Sequence, residues 1–154
     1  MSPAAASVRH YLEISFAGGT YLMPNLPQLV VEPRENLAVR RLGMAAAQRV
    51  VQGVTWPAFA LNAELEPVAE APWTRGIFLN PAGRGVGILV DDMRLVAVDR
   101  LRIEAFSPLG PLPPGGQPLF DAASMQGEGL SLVFSVGGLV AHLLYQEHRH
   151  GRAD

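Results

Sequence analysis

Phe16-Ala-Gly-Gly-Thr-Tyr-Leu-Met-Pro24 reads as the middle of a β-hairpin. Before it, Leu12, Ile14 and Phe16 alternate with Glu13 and Ser15, the period of a strand with one buried face. Gly18-Gly19 offers the positive φ that a tight turn between strands requires. Thr20 to Met23 returns as the partner strand, and Pro24 and Pro27 end it. A second copy of this unit lies an offset of about 66 residues further on: Gly19 meets Gly85, Leu22 meets Ile88, Met23 meets Leu89, Leu29 meets Leu95 and Val30 meets Val96. At an offset of about 74, Gln52-Gly53 meets Gln126-Gly127, and one residue later Phe59-Ala60-Leu61 meets Phe134-Ser135-Val136. Two segments matching in the same order indicate two similar small β units.

Working outward, the remaining chain is mostly short strands separated by turn residues. Leu29 to Val31 and Leu37 to Val39 read as extended pieces, Met44 to Gln48 as one helical turn, Arg49 to Thr55 as a strand and Pro57 to Leu61 as the next strand after a turn. A short helix is expected over Ala63 to Leu65 and a connector over Pro67 to Pro72. Ile77 to Leu79 and Val86 to Val90 form a hairpin around Asn80-Pro81-Ala82-Gly83, whose Pro and Gly are turn formers. Leu95 to Ile103 alternates loosely. Residues 107–118 hold five Pro and three Gly and are expected to be a loop. Leu130 to Val136 is the last strand, and Leu139, Val140, Leu143 and Leu144 share one helical stripe. The expected division is a flexible terminus over 1–9, one domain over 10–145 made of subunits at about 10–70 and 75–136, and a polar tail over 146–154.

Composition agrees with one such domain. The chain has 154 residues, 49% of them hydrophobic and 17% charged, enough to build a core. A net charge of −2 without a basic stripe argues against nucleic acid as a partner. With no cysteine, disulfides, cysteine-ligated zinc and thiol nucleophiles are excluded; all 12 basic residues are Arg, so Schiff-base lysines and a phosphate-loop lysine are excluded too. The start, Met1 to Val8, lacks the charged and apolar regions of a signal peptide. Gly129 to Tyr145 has no formal charge but is short for a membrane span and holds Gly137-Gly138, so a buried strand, a turn and a packed helix are expected instead.

Candidate chemistry is sparse. Gly83-Arg84-Gly85-Val86-Gly87 has the glycines of a phosphate loop, but strand residues follow where a helix must begin. Asp91-Asp92 are adjacent, so on extended backbone they point to opposite sides; a turn role is expected. His142, His148 and His150 lack the spacing of a metal site, and Ser124, Ser131 and Ser135 lack a triad. No catalytic, metal or cofactor residue is assigned. Trp56 and Trp73 lie beside prolines, as interaction hot spots or as core.

The ordered set Phe16 to Pro24, Gln52-Gly-Val-Thr55, Pro57-Ala-Phe-Ala-Leu61, Val86-Gly-Ile-Leu-Val-Asp-Asp-Met93, Leu95 to Val98 and the closing strand and helix of Leu130 to Leu144 resembles the CheW-like family of chemotaxis coupling proteins, over about residues 10–145. That resemblance implies a mainly β fold of two small SH3-like five-stranded barrels packed together, with a short C-terminal helix. It implies a non-catalytic cytoplasmic adaptor that binds the regulatory domain of a CheA-type histidine kinase and chemoreceptor tips, in chemotaxis or in type IV pilus (twitching) signalling, with no stable membrane insertion. Partner contacts are expected at Gln52, Val54 and Trp56, with Val90 and Met93 lining a groove between the units. Two departures stand out. The family's Asn-Leu-Arg-Gly motif meets Val50-Val51-Gln52-Gly53 in an ungapped reading and is lost in a gapped one, so its receptor-coupling Arg is absent either way. The Asp common in the Pro-led strand is Ala60 here and Ser135 in the second unit. The alternatives are a diverged scaffold for another protein without receptor binding, or a β-barrel for a small ligand.

Overall fold

A computed structural model describes residues 9–39, 43–80, 85–105, 118–126 and 129–151. Twelve strands precede one helix among them: β1 His10–Phe16, β2 Gly19–Pro24, β3 Val30–Pro33, β4 Ala47–Val51, β5 Val54–Leu61, β6 Pro67–Val68, β7 Arg75–Leu79, β8 Val86–Val90, β9 Asp92–Ala97, β10 Ile103–Ala105, β11 Phe120–Gln126, β12 Gly129–Phe134 and α1 Val136–Gly151. The chain is mainly β, as the sequence indicates.

The strands form two sheets. One runs β10-β11-β12-β2-β1-β9; the other runs β3-β7-β8-β5-β4, with β6 added on β5. Each sheet curls shut in the same way. In the first, β9 passes through a 3-10 turn at Val98–Arg100 and returns as β10, which pairs with β11. In the second, β3 passes through a 3-10 turn at Arg34–Asn36, and Ala38 then exchanges two backbone hydrogen bonds of 2.9 Å with Gln48 of β4. Apart from β6 and β10, the order β11-β12-β2-β1-β9 in one barrel corresponds to β4-β5-β8-β7-β3 in the other, with the single parallel contact at the same place: β12 on β2, and β5 on β8.

That correspondence shows what the duplication does. Strands β1 to β5 form one repeat and β7, β8, β9, β11 and β12 the other. Each repeat gives its first hairpin to its neighbour's barrel: β1-β2 pair with β9 and β12, and β7-β8 pair with β3 and β5. The subunits expected at about 10–70 and 75–136 are therefore repeats of sequence, whereas the hydrogen-bonded units are 10–24 with 92–134, and 30–90.

Each exchanged hairpin carries an apolar face into a core shared by the two sheets. From β1 and β2, Leu12, Ile14, Phe16 and Met23 enter a core shared with Phe59, Leu61, Ile77, Leu79, Val86, Ile88 and Val90 of the other sheet. Leu139, Val140 and Leu143 of α1 close that core, along the expected stripe. Phe16, Tyr21, Phe120 and Phe134 stack within it, with neighbouring centroids such as Phe120–Phe134 at 4.7 Å. Each barrel also has an interior of its own. The barrel of residues 30–90 is filled by Leu37, Ala47, Ala58, Trp73, Phe78 and Leu89. In the other, the buried apolar residues among those described are Leu22, Ala122 and Val133, with Ser124 also buried and Tyr11, Leu101 and Ile103 half-buried around them.

Several local expectations are corrected. Both tight hairpins turn one residue away from where the sequence placed them or where it placed none. Phe16 pairs with Gly19, so Ala17 (φ 51°) and Gly18 (φ 80°) make the first turn. Val51 pairs with Val54, so Gln52 (φ 50°) and Gly53 (φ 79°) interrupt the stretch read as one strand. Positive φ at both central residues matches the right-handed twist of the strands. The helical turn expected at Met44 to Gln48 is a turn and the start of β4, because Ala45, Ala46 and Ala47 are drawn under the barrel walls. Ala63 to Leu65 is a turn held by the Asn62 side chain, which accepts from the Glu64 and Glu66 N–H groups at 2.9 and 3.0 Å. The stretch Leu95 to Ile103 is broken by the second 3-10 turn, and β11 was not foreseen. Residues 81–84 of the expected Asn80–Gly83 turn, and 107–117 of the Pro-rich loop, lie outside the described residues. Gly129 to Tyr145 forms β12 and the start of α1, and no helix among the described residues is long and apolar enough to cross a membrane. Of the expected polar tail, the backbone through Gly151 is helical.

Candidate functional site

The β4-β5 hairpin carries three of the five residues singled out from the sequence. Its register pairs Val51 with Val54, Val50 with Thr55 and Arg49 with Trp56. At the tip, Gln52 is exposed, and beside it Val50 (59% exposed) and Val54 (53%) leave aliphatic side chains in solvent. Val50 is paired with Thr55 and Val54 with Val51, so the two exposed valines lie on opposite faces of the hairpin end.

Trp56 stands further down and is half-buried. Its ring tilts against Phe78 at a centroid distance of 6.2 Å, with the Arg49 guanidinium 4.7 Å above it. Arg49 Nε donates to Glu32 Oε2 at 3.2 Å, so the cation is fixed between a carboxylate and an indole face. Gly85 lies against the ring, where a Cβ would overlap it. Trp56 is thus as much a wall of its barrel as a surface residue. Trp73 is core: it is buried, with Arg34 4.1 Å over its ring and donating to its carbonyl at 3.0 Å.

Val90 is fully buried in the shared core and presents no surface, so its place in a groove is corrected. All five residues of β8 are buried, since the strand is central in its sheet and covered on both faces. Met93 is half-buried on β9, in the other barrel, packed against the shared core. The structure therefore groups Gln52, Val54 and Trp56 on one hairpin and assigns Val90 and Met93 elsewhere.

The pattern of the sequence missed the equivalent hairpin of the other barrel. Met125 (55% exposed) and Leu130 (60%) are direct cross-strand partners on β11-β12. They occupy the positions of Val50 and Thr55, the pair facing each other near the β4-β5 tip. Only the pairing register reveals this, because alternation alone does not tell an exposed apolar face from a buried one.

Among the described residues no three His, Asp or Glu side chains are grouped so as to hold a metal ion. His142 Nε2 lies 2.7 Å from the Leu65 carbonyl, tying α1 to the β5-β6 turn. Asp92 Oδ1 accepts from the Met93 N–H at 2.8 Å, the backbone role expected of it. Gly85 and Gly87 flank or enter a strand, with no helix following. In the barrel of β1 and β9, burial and the nearby Asp121 charge hold the Tyr11 phenol above its usual pKa, and Arg94 is raised by its hydrogen bond to Glu13.

Compared with protein-family models and with curated proteins, the sequence finds no match. Among solved structures, the fold is similar to that of the scaffolding protein TtCheW from Thermoanaerobacter tengcongensis, with a TM-score of 0.58 and 11% identity, covering 84% of this chain and 90% of that one. The chain thus has a CheW-like fold.

Proposed function

We propose that this protein is a non-catalytic signalling adaptor that joins a CheA-type histidine kinase to chemoreceptors, in chemotaxis or in pilus-driven motility, and that it works in the cytoplasm at receptor arrays. The observation that carries this reading is the shared fold with a scaffolding protein over 84% of the chain. Two equivalent hairpin ends with exposed apolar side chains support it: Val50 and Val54, on opposite faces of one, and the cross-strand partners Met125 and Leu130 on the other. They are two faces for two partners on one small molecule. The kinase contact is assigned to Gln52, Val54 and the exposed edge of Trp56, with Met93 as a secondary element.

A second reading, a scaffold that no longer engages receptors, is favoured by Gln52, which stands at the hairpin tip and which an ungapped reading sets against the resembled family's Arg. Gln offers hydrogen bonds but no charge, so a carboxylate partner loses its ion pair.

A pull-down with the regulatory domain of the kinase from the same organism tests the proposal. Binding by the wild type, lost on Val54→Asp with an unchanged melting temperature, is the expected result. A wild-type protein that leaves the kinase unbound while retaining a receptor fragment reverses the assignment of partners.

A further inference from the structure

Strand β9 is an edge of its sheet: it pairs with β1 on one side, and no described strand lies on the other. The ladder fixes which groups point outward. The Val98 N–H donates to the Arg9 carbonyl at 2.9 Å, in line with the register His10↔Ala97 and Tyr11↔Val96. In an antiparallel ladder hydrogen-bonded pairs alternate, so Val96 and Arg94 also face β1, and the backbone groups of Met93, Leu95 and Ala97 face away. Met93's outward N–H is satisfied by the Asp92 carboxylate at 2.8 Å. The outward N–H and C=O groups of Leu95 and Ala97 have no partner among the described residues.

The side chains at this edge are unusual for a protected one. Edge strands are commonly blunted by charge, proline or a covering loop. Here Leu95 is 57% exposed at the centre of the strand. A half-open depression of about 520 Å³ lies along it, lined by Leu95, Val96, Ala97 and Leu101 with Arg94 and Arg100. Glu13, also at its wall, already holds Arg94 through bonds of 2.7 and 3.3 Å. Arg100 has no carboxylate partner among the described residues. The lining thus offers backbone pairing, an apolar recess and one uncompensated cation.

We propose that β9 receives an extended segment of a partner protein as an added strand, with an apolar side chain in the recess beside Leu95 and an acidic side chain on Arg100. Strand addition draws its affinity from main-chain hydrogen bonds and its selectivity from such alternate pockets. A second copy of this chain fits less well: pairing β9 with itself brings Arg94 and Arg100 of both copies to one edge, where Glu13 is already taken by Arg94 and Asp92 by the Met93 N–H, so that Asp99 alone is left to face them. The surface is separate from the hairpin ends and shares with the kinase contact proposed above only Met93, so the substitutions that test it are made at Leu95 and Arg100.

The test uses the whole chain and a displayed library of random eight-residue peptides. Selected peptides are expected to alternate apolar and acidic residues. In a two-dimensional NMR titration they should shift the amides of Met93 to Leu101. Leu95→Lys and Arg100→Glu should each weaken them tenfold or more with melting temperatures unchanged. Peptides that map to the hairpin ends, peptides indifferent to both substitutions, or no binders at all would overturn the proposal. So would a dimer in sedimentation that Leu95→Lys dissolves and that no peptide competes with.

Discussion

Trp56 shows how one side chain can serve a surface and a core. Its outer edge reaches solvent, but its ring is gripped by Arg49, Phe78 and the bare backbone of Gly85. The grip depends on a glycine: any Cβ at Gly85 must displace the indole or the strand that opens β8. Gly85→Ala is therefore expected to cost about 1–3 kcal/mol, the range for overpacking a filled interior. Urea unfolding should show a lower midpoint at constant slope. An unchanged midpoint would mean that the ring has room to move and that Trp56 is a surface residue after all. The same geometry explains why Trp56→Ala is a poor probe of binding, since it opens the barrel wall, whereas Val54→Asp changes only the surface.

At the scale of elements, α1 shows how a helix is started where the sequence is unpromising. Val136-Gly-Gly offers weak helix propensity. Ser135 compensates by accepting the Gly138 N–H at 3.1 Å, and Leu139, Val140 and Leu143 then anchor the helix in the shared core. Ser135→Ala should lose about 1 kcal/mol, as expected when a cap is removed. Thermal denaturation should show that as a drop of a few degrees, and no drop would assign the start of the helix to packing alone. This helix was legible in the sequence because its stripe is long. Strand β11, Phe-Asp-Ala-Ala-Ser-Met-Gln, was not, because nothing in it is β-branched; it is a strand because β10 and β12 pair with it on both sides. The alanines at 45–47 read as helix for the converse reason: small residues were needed beneath a curled sheet, and tertiary packing overrode propensity. For the candidate site, Gln52, Val54 and Trp56 are singled out by the family resemblance; the turn at Gln52-Gly53 was not legible, because Arg49 to Thr55 reads as one strand. Val90 was misjudged because a continuous apolar run marks a strand covered on both faces, and Met125 and Leu130 were missed because their pairing register is not written in local alternation.

At the scale of the whole molecule, the exchanged hairpins govern how the protein holds together. Two barrels of this size would each bury a small core. Here β1-β2 belong to the barrel of β9, β11 and β12, and β7-β8 to the barrel of β3 to β5, while one apolar core runs through both sheets and α1. Neither half of the chain contains a complete version of either observed barrel. A cut near residue 72, between the sequence repeats, leaves the first fragment with β1 to β6 and the second with β7 to α1. Each fragment then exposes the apolar faces that met the other's hairpin, and the shared core, built from residues of both fragments, is lost. The fragments expressed separately are expected to be unfolded or aggregated, and mixed from denaturant they should rebuild one folded complex with a single cooperative transition. Circular dichroism and gel filtration of each fragment and of the mixture decide this. The opposing physics is closure within one repeat, with β1-β2 folding back onto β3 to β5 in the place that β7-β8 now take. If either fragment alone melts cooperatively as a compact monomer, that closure is stable. The exchange would then be a property of the linked chain and not a requirement of its core.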